Sequence, residues 1–240
     1  MAAEGALFRF EKWAQVHLGK RPALYYSLHA LARRDRRQVV GRETELLIEG
    51  FPRSANSFAV VAFRRAQRRK VRLANNLHVP AQVIRAARLG VPALVLIREP
   101  KDAVASLAIR DPISIDRALK YYVSFYETVA GYREAYVLGL FEEVTGDYGA
   151  VIERVNAKFG TDFLPFRHTE RSVRRVFGRI DRVYEKDFEG ESAFEDAVSR
   201  PSASREEMKQ RVRQELEDPA RKKLVARAGT IYERLVAGYG

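Results

Sequence analysis

The chain predicts an α/β protein: three layers, with a mostly parallel central sheet and helical flanks. Three observations predict it. The apolar run Leu46-Leu47-Ile48 leads through a short loop of small and hydroxyl residues into Ala59-Val60-Val61-Ala62-Phe63, which reads as the start of a helix. A second apolar run of strand length, Val91-Pro92-Ala93-Leu94-Val95-Leu96-Ile97, is again followed by helical sequence. Continuous apolar runs of this kind suit strands covered on both faces, with Pro92 tolerated at the entry. Strands alternating with helices require crossover connections of one hand. Ligands of such folds sit beyond the C-terminal ends of the strands.

Taken in order, residues 7–38 read as one or two amphipathic helices, with Phe8, Phe10, Trp13 and Val16 near helical spacing. Residues 46–51 are the first strand and 56–70 a helix with a basic far end. Residues 71–77 suit a short strand. Residues 80–89 form a helix that Gly90 is placed to end. The central strand of 91–97 follows, then helices over 101–109 and 114–135. A further strand at 136–141 and a helix at 147–159 complete the core. Residues 162–205 are charged and irregular, as expected of a long loop or lid. Two closing helices, 206–217 and 220–237, are separated by Asp218-Pro219. The whole is expected to be one domain, with its core at 44–160.

The 240 residues suffice for a full core. There is no cysteine, which excludes disulfides and thiolate chemistry. No stretch approaches the apolar length of a membrane span, and the first residues lack the order of a secretory signal. A cytoplasmic protein is therefore expected. The net charge of +12 favours an anionic partner without naming it. Solvated helix faces account for most of the excess.

The loop Gly50-Phe51-Pro52-Arg53-Ser54-Ala55-Asn56-Ser57-Phe58 carries the first chemical signal. Unpaired N–H groups of a helix's first turn, with its dipole, favour an anion there. Arg53 adds a permanent cation whose donors match phosphate or sulfate. The nucleotide-kinase loop G-x-x-x-x-G-K-[ST] is excluded, because the second glycine and the Lys-Ser/Thr pair are missing. The second signal is Arg98-Glu99-Pro100-Lys101-Asp102-Ala103-Val104-Ala105-Ser106, another strand-to-helix turn with a cation at the strand end. Between them lies Asn76-Leu77-His78-Val79-Pro80.

Together these stretches resemble the sulfotransferases that use 3′-phosphoadenosine 5′-phosphosulfate (PAPS). The family's 5′-phosphosulfate loop reads Pro-Lys/Arg-Ser-Gly-Thr-Thr-aromatic, and its 3′-phosphate motif Arg-Asn-Pro-Lys-Asp-Val-x-x-Ser. The resemblance implies a P-loop-like phosphosulfate-binding loop. It implies that Arg53, Ser54, Ala55, Asn56 and Ser57 hold the 5′-phosphosulfate. It also implies that Arg98 and Ser106 bind the 3′-phosphate. Phe58 matches an aromatic that stacks on adenine; a core phenylalanine is the alternative. His78 matches the histidine of a His-x-Pro element, the general base, a role suited to neutral imidazole. Arg53 would stabilise charge on the leaving oxygen. Phe141 stands where a tyrosine usually lies near the nucleotide. The family's C-terminal Arg-Lys-Gly loop is absent, and Arg200 and Arg205 are its expected replacements over the 3′-phosphate. Ala55 and Asn56 depart from the family's glycine and threonine, which predicts a shifted turn.

The function so implied is sulfuryl transfer from PAPS to an acceptor hydroxyl or amine on a glycan, lipid or small metabolite, with no metal. The rivals are a P-loop phosphotransferase, which lacks its usual magnesium ligand here, and a non-catalytic polyanion or nucleic-acid binder on a degenerate loop. A specific donor site argues against nucleic acid. The sequence does not fix the oligomeric state or the acceptor.

Overall fold

A computed structural model describes residues 19–22, 25–27, 38–187 and 203–238. The helical expectation for residues 7–38 lies mostly outside them, and the cofactor role expected of Arg200 lies outside them too. Four strands form one all-parallel sheet: β1 (Leu46–Gly50), β2 (Leu73–Asn75), β3 (Ala93–Ile97) and β4 (Val137–Leu140), in the order β2-β1-β3-β4. Each strand leads into a helix. These are α1 (Asn56–Ala66), α2 (Pro80–Leu89), α3 (Pro100–Arg110) with α4 (Ile115–Ala130), and α5 (Phe141–Gly146) with α6 (Tyr148–Phe159). The chain then adds α7 (Glu170–Asp187), α8 (Ala203–Leu216) and α9 (Lys222–Ala237).

Side chains alternate across a strand, so the apolar runs feed two cores at once. Leu47, Ala93, Val95, Ile97 and Leu138 face a core built by α2, α3, α4, α8 and α9. Leu46, Ile48, Leu94, Leu96 and Val137 face the other, built by α1, α5, α6 and α7. The α/β, three-layer expectation is what these two cores describe.

Several boundaries differ from the sequence reading for local reasons. Helix α1 stops at Ala66, not at residue 70, because Gln67 turns extended and its amide pairs with both backbone groups of Leu164 at 3.0 Å. The expected helix over 114–135 is α4, capped by Ser114 and ended at Gly131, followed by a separate 3-10 turn, Arg133–Ala135. Gly90 ends α2 in the left-handed conformation that the sequence anticipates.

The expectation of irregular chain over 162–205 is corrected for residues 170–187, which form α7. Val173, Val176, Phe177 and Ile180 recur at helical spacing along this charged stretch and pack into the α1 core. The charges fill the opposite face. No described helix is long and apolar enough to cross a membrane.

Candidate functional site

The parallel order puts the C-terminal ends of β2, β1 and β3 side by side, and each end carries one of the sequence motifs. Gly50 makes this closeness possible. A Cβ at Gly50 would lie 2.5 Å from the Leu96 carbonyl oxygen on β3. Beyond Gly50 the loop is braced from inside. The Asn56 amide donates to the Phe51 carbonyl at 2.9 Å, and the Phe51 N–H donates to the Tyr126 hydroxyl at 3.4 Å. Tyr126 in turn donates to the Leu96 carbonyl at 2.7 Å. Ser54 is fully buried against the same hydroxyl, 3.5 Å away.

Ala55 is the N-cap of α1, at φ 67° and ψ 20°, and gives no side-chain cap. The first-turn N–H groups of α1 therefore keep their outward-facing character. Ala55 thus holds a left-handed backbone, the conformation that glycine adopts most readily. Arg53, two residues earlier, is also left-handed, at φ 71°.

The two anion motifs meet. Arg53 Nε donates to Ser106 Oγ at 2.9 Å, and Arg98 Nη1 donates to the Arg53 carbonyl at 3.3 Å. Ser106 is buried on the inner side of α3. The Arg98 guanidinium lies over the Phe141 ring, 4.0 Å from its centroid. It pairs with Asp102 at 3.6 Å, while its Nε is buried without a hydrogen-bond partner. Burial pushes the Arg98 pKa down and Asp102 pulls it back up; a guanidinium stays charged throughout. The Glu99 carboxylate accepts from the Asp102 N–H at 2.9 Å and caps α3.

His78 arrives from the end of β2. Its Nδ1 lies 2.8 Å from the Gly50 carbonyl oxygen, which can only accept. Nδ1 therefore carries the proton, and Nε2 is the basic nitrogen of the neutral ring. His78 and Asn76 are both left-handed, at φ 54° and 60°.

Sequence reasoning missed Glu49. Its side chain is fully buried and accepts from the N–H groups of Gly50 (3.1 Å), Leu77 (3.2 Å) and His78 (3.0 Å). Its Oε1 lies 3.5 Å from His78 Nδ1. Burial pushes its pKa up to about 8 against the pull of these three donors. The available signal was a carboxylate inside the apolar run 46–51. Sequence reasoning also missed Arg213 of α8, which donates to the Asp102 carboxylate and so lies one residue from Arg98. Arg205 is on the same helix. Phe58 is a core residue, 4% exposed, within 6.1 Å of Phe166, His168 and Phe177 by ring centroid; the core alternative is the one realised. Ser57 is half-buried on the first turn of α1.

No protein-family model matches the chain. No curated protein matches it either. Among solved structures it is similar to the mouse sulfotransferase SULT7A1 complexed with PAP, at 12% identity and a TM-score of 0.41, over 79% of this chain and 90% of that one. A likeness this remote carries no functional weight. The α/β assignment rests on the sheet and its two cores.

Proposed function

We propose that this protein is a sulfotransferase that moves a sulfuryl group from PAPS to an acceptor hydroxyl or amine. One observation carries the reading. Three motifs from three adjacent parallel strands converge at one edge of the sheet, tied by the Arg53–Ser106, Arg98–Arg53 and His78–Gly50 hydrogen bonds.

The residues fit the donor. The uncapped N-terminus of α1, with Arg53, Ser54 and Ser57 around it, suits the 5′-phosphosulfate. Arg98, with a buried Nε lacking a partner, and Ser106 suit the 3′-phosphate, with Asp102 and Arg213 holding the Arg98 side chain. Phe141, under the guanidinium, fixes its plane. Phe58 supports the site from the core. Adenine stacking is not assigned to it.

His78 Nε2 takes the proton from the acceptor oxygen as that oxygen bonds to sulfur. The bond from sulfur to the 5′-phosphate oxygen breaks, and its electron pair stays on that oxygen. Arg53 and the α1 N-terminus stabilise the negative charge that builds there. Preorganised donors of this kind are worth roughly 3–4 kcal/mol each. Arginine acts by charge alone, since it does not give up its proton. The imidazolium then returns its proton to water.

Calorimetric titration tests the donor site, using 3′,5′-diphosphoadenosine beside adenosine 5′-monophosphate and magnesium-ATP. Magnesium-independent binding of the diphosphate, with the preference over the monophosphate lost in Arg98→Ala, is expected. Preference for magnesium-ATP would transfer the site to phosphotransferase chemistry. Unselective binding that collapses with salt would make it a polyanion surface.

A further inference from the structure

We propose that Glu49 is the positioning residue for His78: its buried carboxylate pins the Leu77–His78 backbone and faces the ring nitrogen opposite the one that takes up the proton. The inference rests on His78 acting as the base.

Two contacts carry it. First, the carboxylate receives the N–H groups of both Leu77 and His78. His78 sits at φ 54°, a conformation costly for a residue with a Cβ. Something must hold it there, and Glu49 accepts from that same N–H. The Tyr121 hydroxyl holds the other side of the residue by donating to the His78 carbonyl. Second, Oε1 stands 3.5 Å from Nδ1. When Nε2 accepts a proton, the positive charge spreads over both nitrogens. Once ionised, a carboxylate at that distance, shielded from water, offsets it. The division of labour follows triad logic, in which a third group fixes the tautomer and steadies the imidazolium. The carboxylate here comes from the strand floor, and the ring's direct partner is the Gly50 carbonyl.

An ionisable group this deeply buried is expensive for the fold, most of all in its charged form. Its three N–H partners sit at the mouth of the candidate site, on the loop carrying the base and on the first residue of the anion loop. A carboxyl group at this point serves the site. A neutral side chain would pack the same space more cheaply.

The test is a double-mutant cycle on turnover at pH 9, where the Glu49 carboxylate is ionised, with an acceptor that the wild type sulfates. Glu49→Gln keeps the shape and one acceptor oxygen and removes the charge. It should lower turnover at least about tenfold, a shift of one pK unit or more in the interaction, with affinity for 3′,5′-diphosphoadenosine retained. In a His78→Ala background the same change should cost less than about twofold, since Glu49 acts through the ring. An equal loss in both backgrounds, or no loss in either, overturns the proposal. Full activity of His78→Ala alone would instead overturn the base assignment. If Glu49→Gln loses donor binding altogether, the wild type decides: ring nitrogen shifts of His78 must report the Nδ1–H tautomer, and an Nε2–H tautomer overturns the proposal.

Discussion

The buried carboxylate makes stability depend on pH in a direction opposite to that of most acidic residues. The Glu49 pKa rises from the ordinary 4.5 to about 8 in the folded protein, burial being the largest cause. Between those values the folded state keeps a proton that the unfolded state has released. The unfolded state binds fewer protons, so stability falls as pH rises, fully present below about 4.5 and lost by about 8. Each pH unit in that interval is worth about 1.4 kcal/mol, which sets a ceiling near 5 kcal/mol. That is a large share of the ~5–15 kcal/mol that holds a domain together. The assay is urea unfolding of wild type and Glu49→Gln at pH 5 to 9. The difference between the two proteins isolates Glu49 from the surface carboxylates. Tyr25, Tyr26, Tyr121 and Tyr126 feel Glu49, and burial moves all four above their usual value, so they stay protonated throughout. Among the described residues His78 also faces the carboxylate, so the comparison is repeated in a His78→Asn background. The wild type should lose stability relative to Glu49→Gln on going from pH 5 to 8, and level off above. Parallel profiles would refute the reasoning, because they would mean that the N–H donors fully offset the cost of burying the charge.

Two further outcomes follow from the geometry. Ala55→Gly should stabilise the fold by about 0.5–1 kcal/mol, a melting shift of roughly 1–4 °C for a chain of this size, because φ 67° suits glycine and strains alanine; an unchanged or lower melting temperature would show the strain is not there. Phe58→Ala should cost about 3–5 kcal/mol by leaving a hole among Phe166, His168 and Phe177, while the preference for 3′,5′-diphosphoadenosine over the monophosphate persists; a selective loss of adenine affinity without a change in melting would return Phe58 to the nucleotide.

The fold was legible wherever one signal dominated. Uninterrupted runs such as 93–97 leave no choice but a strand covered on both faces, and the strand–helix alternation then fixes the layers. Gly90 marks its helix end because only a left-handed residue closes that turn. Within 162–205, the stretch 170–187 departs from the irregular reading because composition was weighed above period. Arginine outnumbers everything in α7, yet Val173, Val176, Phe177 and Ile180 alone decide that it is a helix. Within the site, the residues carried by short motifs were legible: Arg53, Arg98, Ser106 and His78. Glu49 and Arg213 were not. Neither belongs to a motif, and each matters only through a partner distant in sequence, Glu49 through a loop 28 and 29 residues away and Arg213 through Asp102, 111 residues away.

Backbone strain gives an independent view of where the molecule has given up stability. Among the described residues, four non-glycine residues have positive φ: Arg53, Ala55, Asn76 and His78. All four lie in the two loops that carry the candidate cation and the candidate base. Each such residue costs on the order of 1–3 kcal/mol and persists only where surrounding contacts over-determine it. Those contacts are visible. The Asn56 amide clamps the first loop to the Phe51 carbonyl, and the Glu49 carboxylate and Tyr121 hydroxyl clamp the second. A loop serving only as a connection would relax, because glycine or a longer turn would do the same work at lower cost. The clamped arrangement fixes the Arg53 carbonyl under Arg98 and the imidazole against Gly50 before any ligand arrives. Groups held in place beforehand need no reorganisation at the moment charge develops, and that is where electrostatic catalysis gains most.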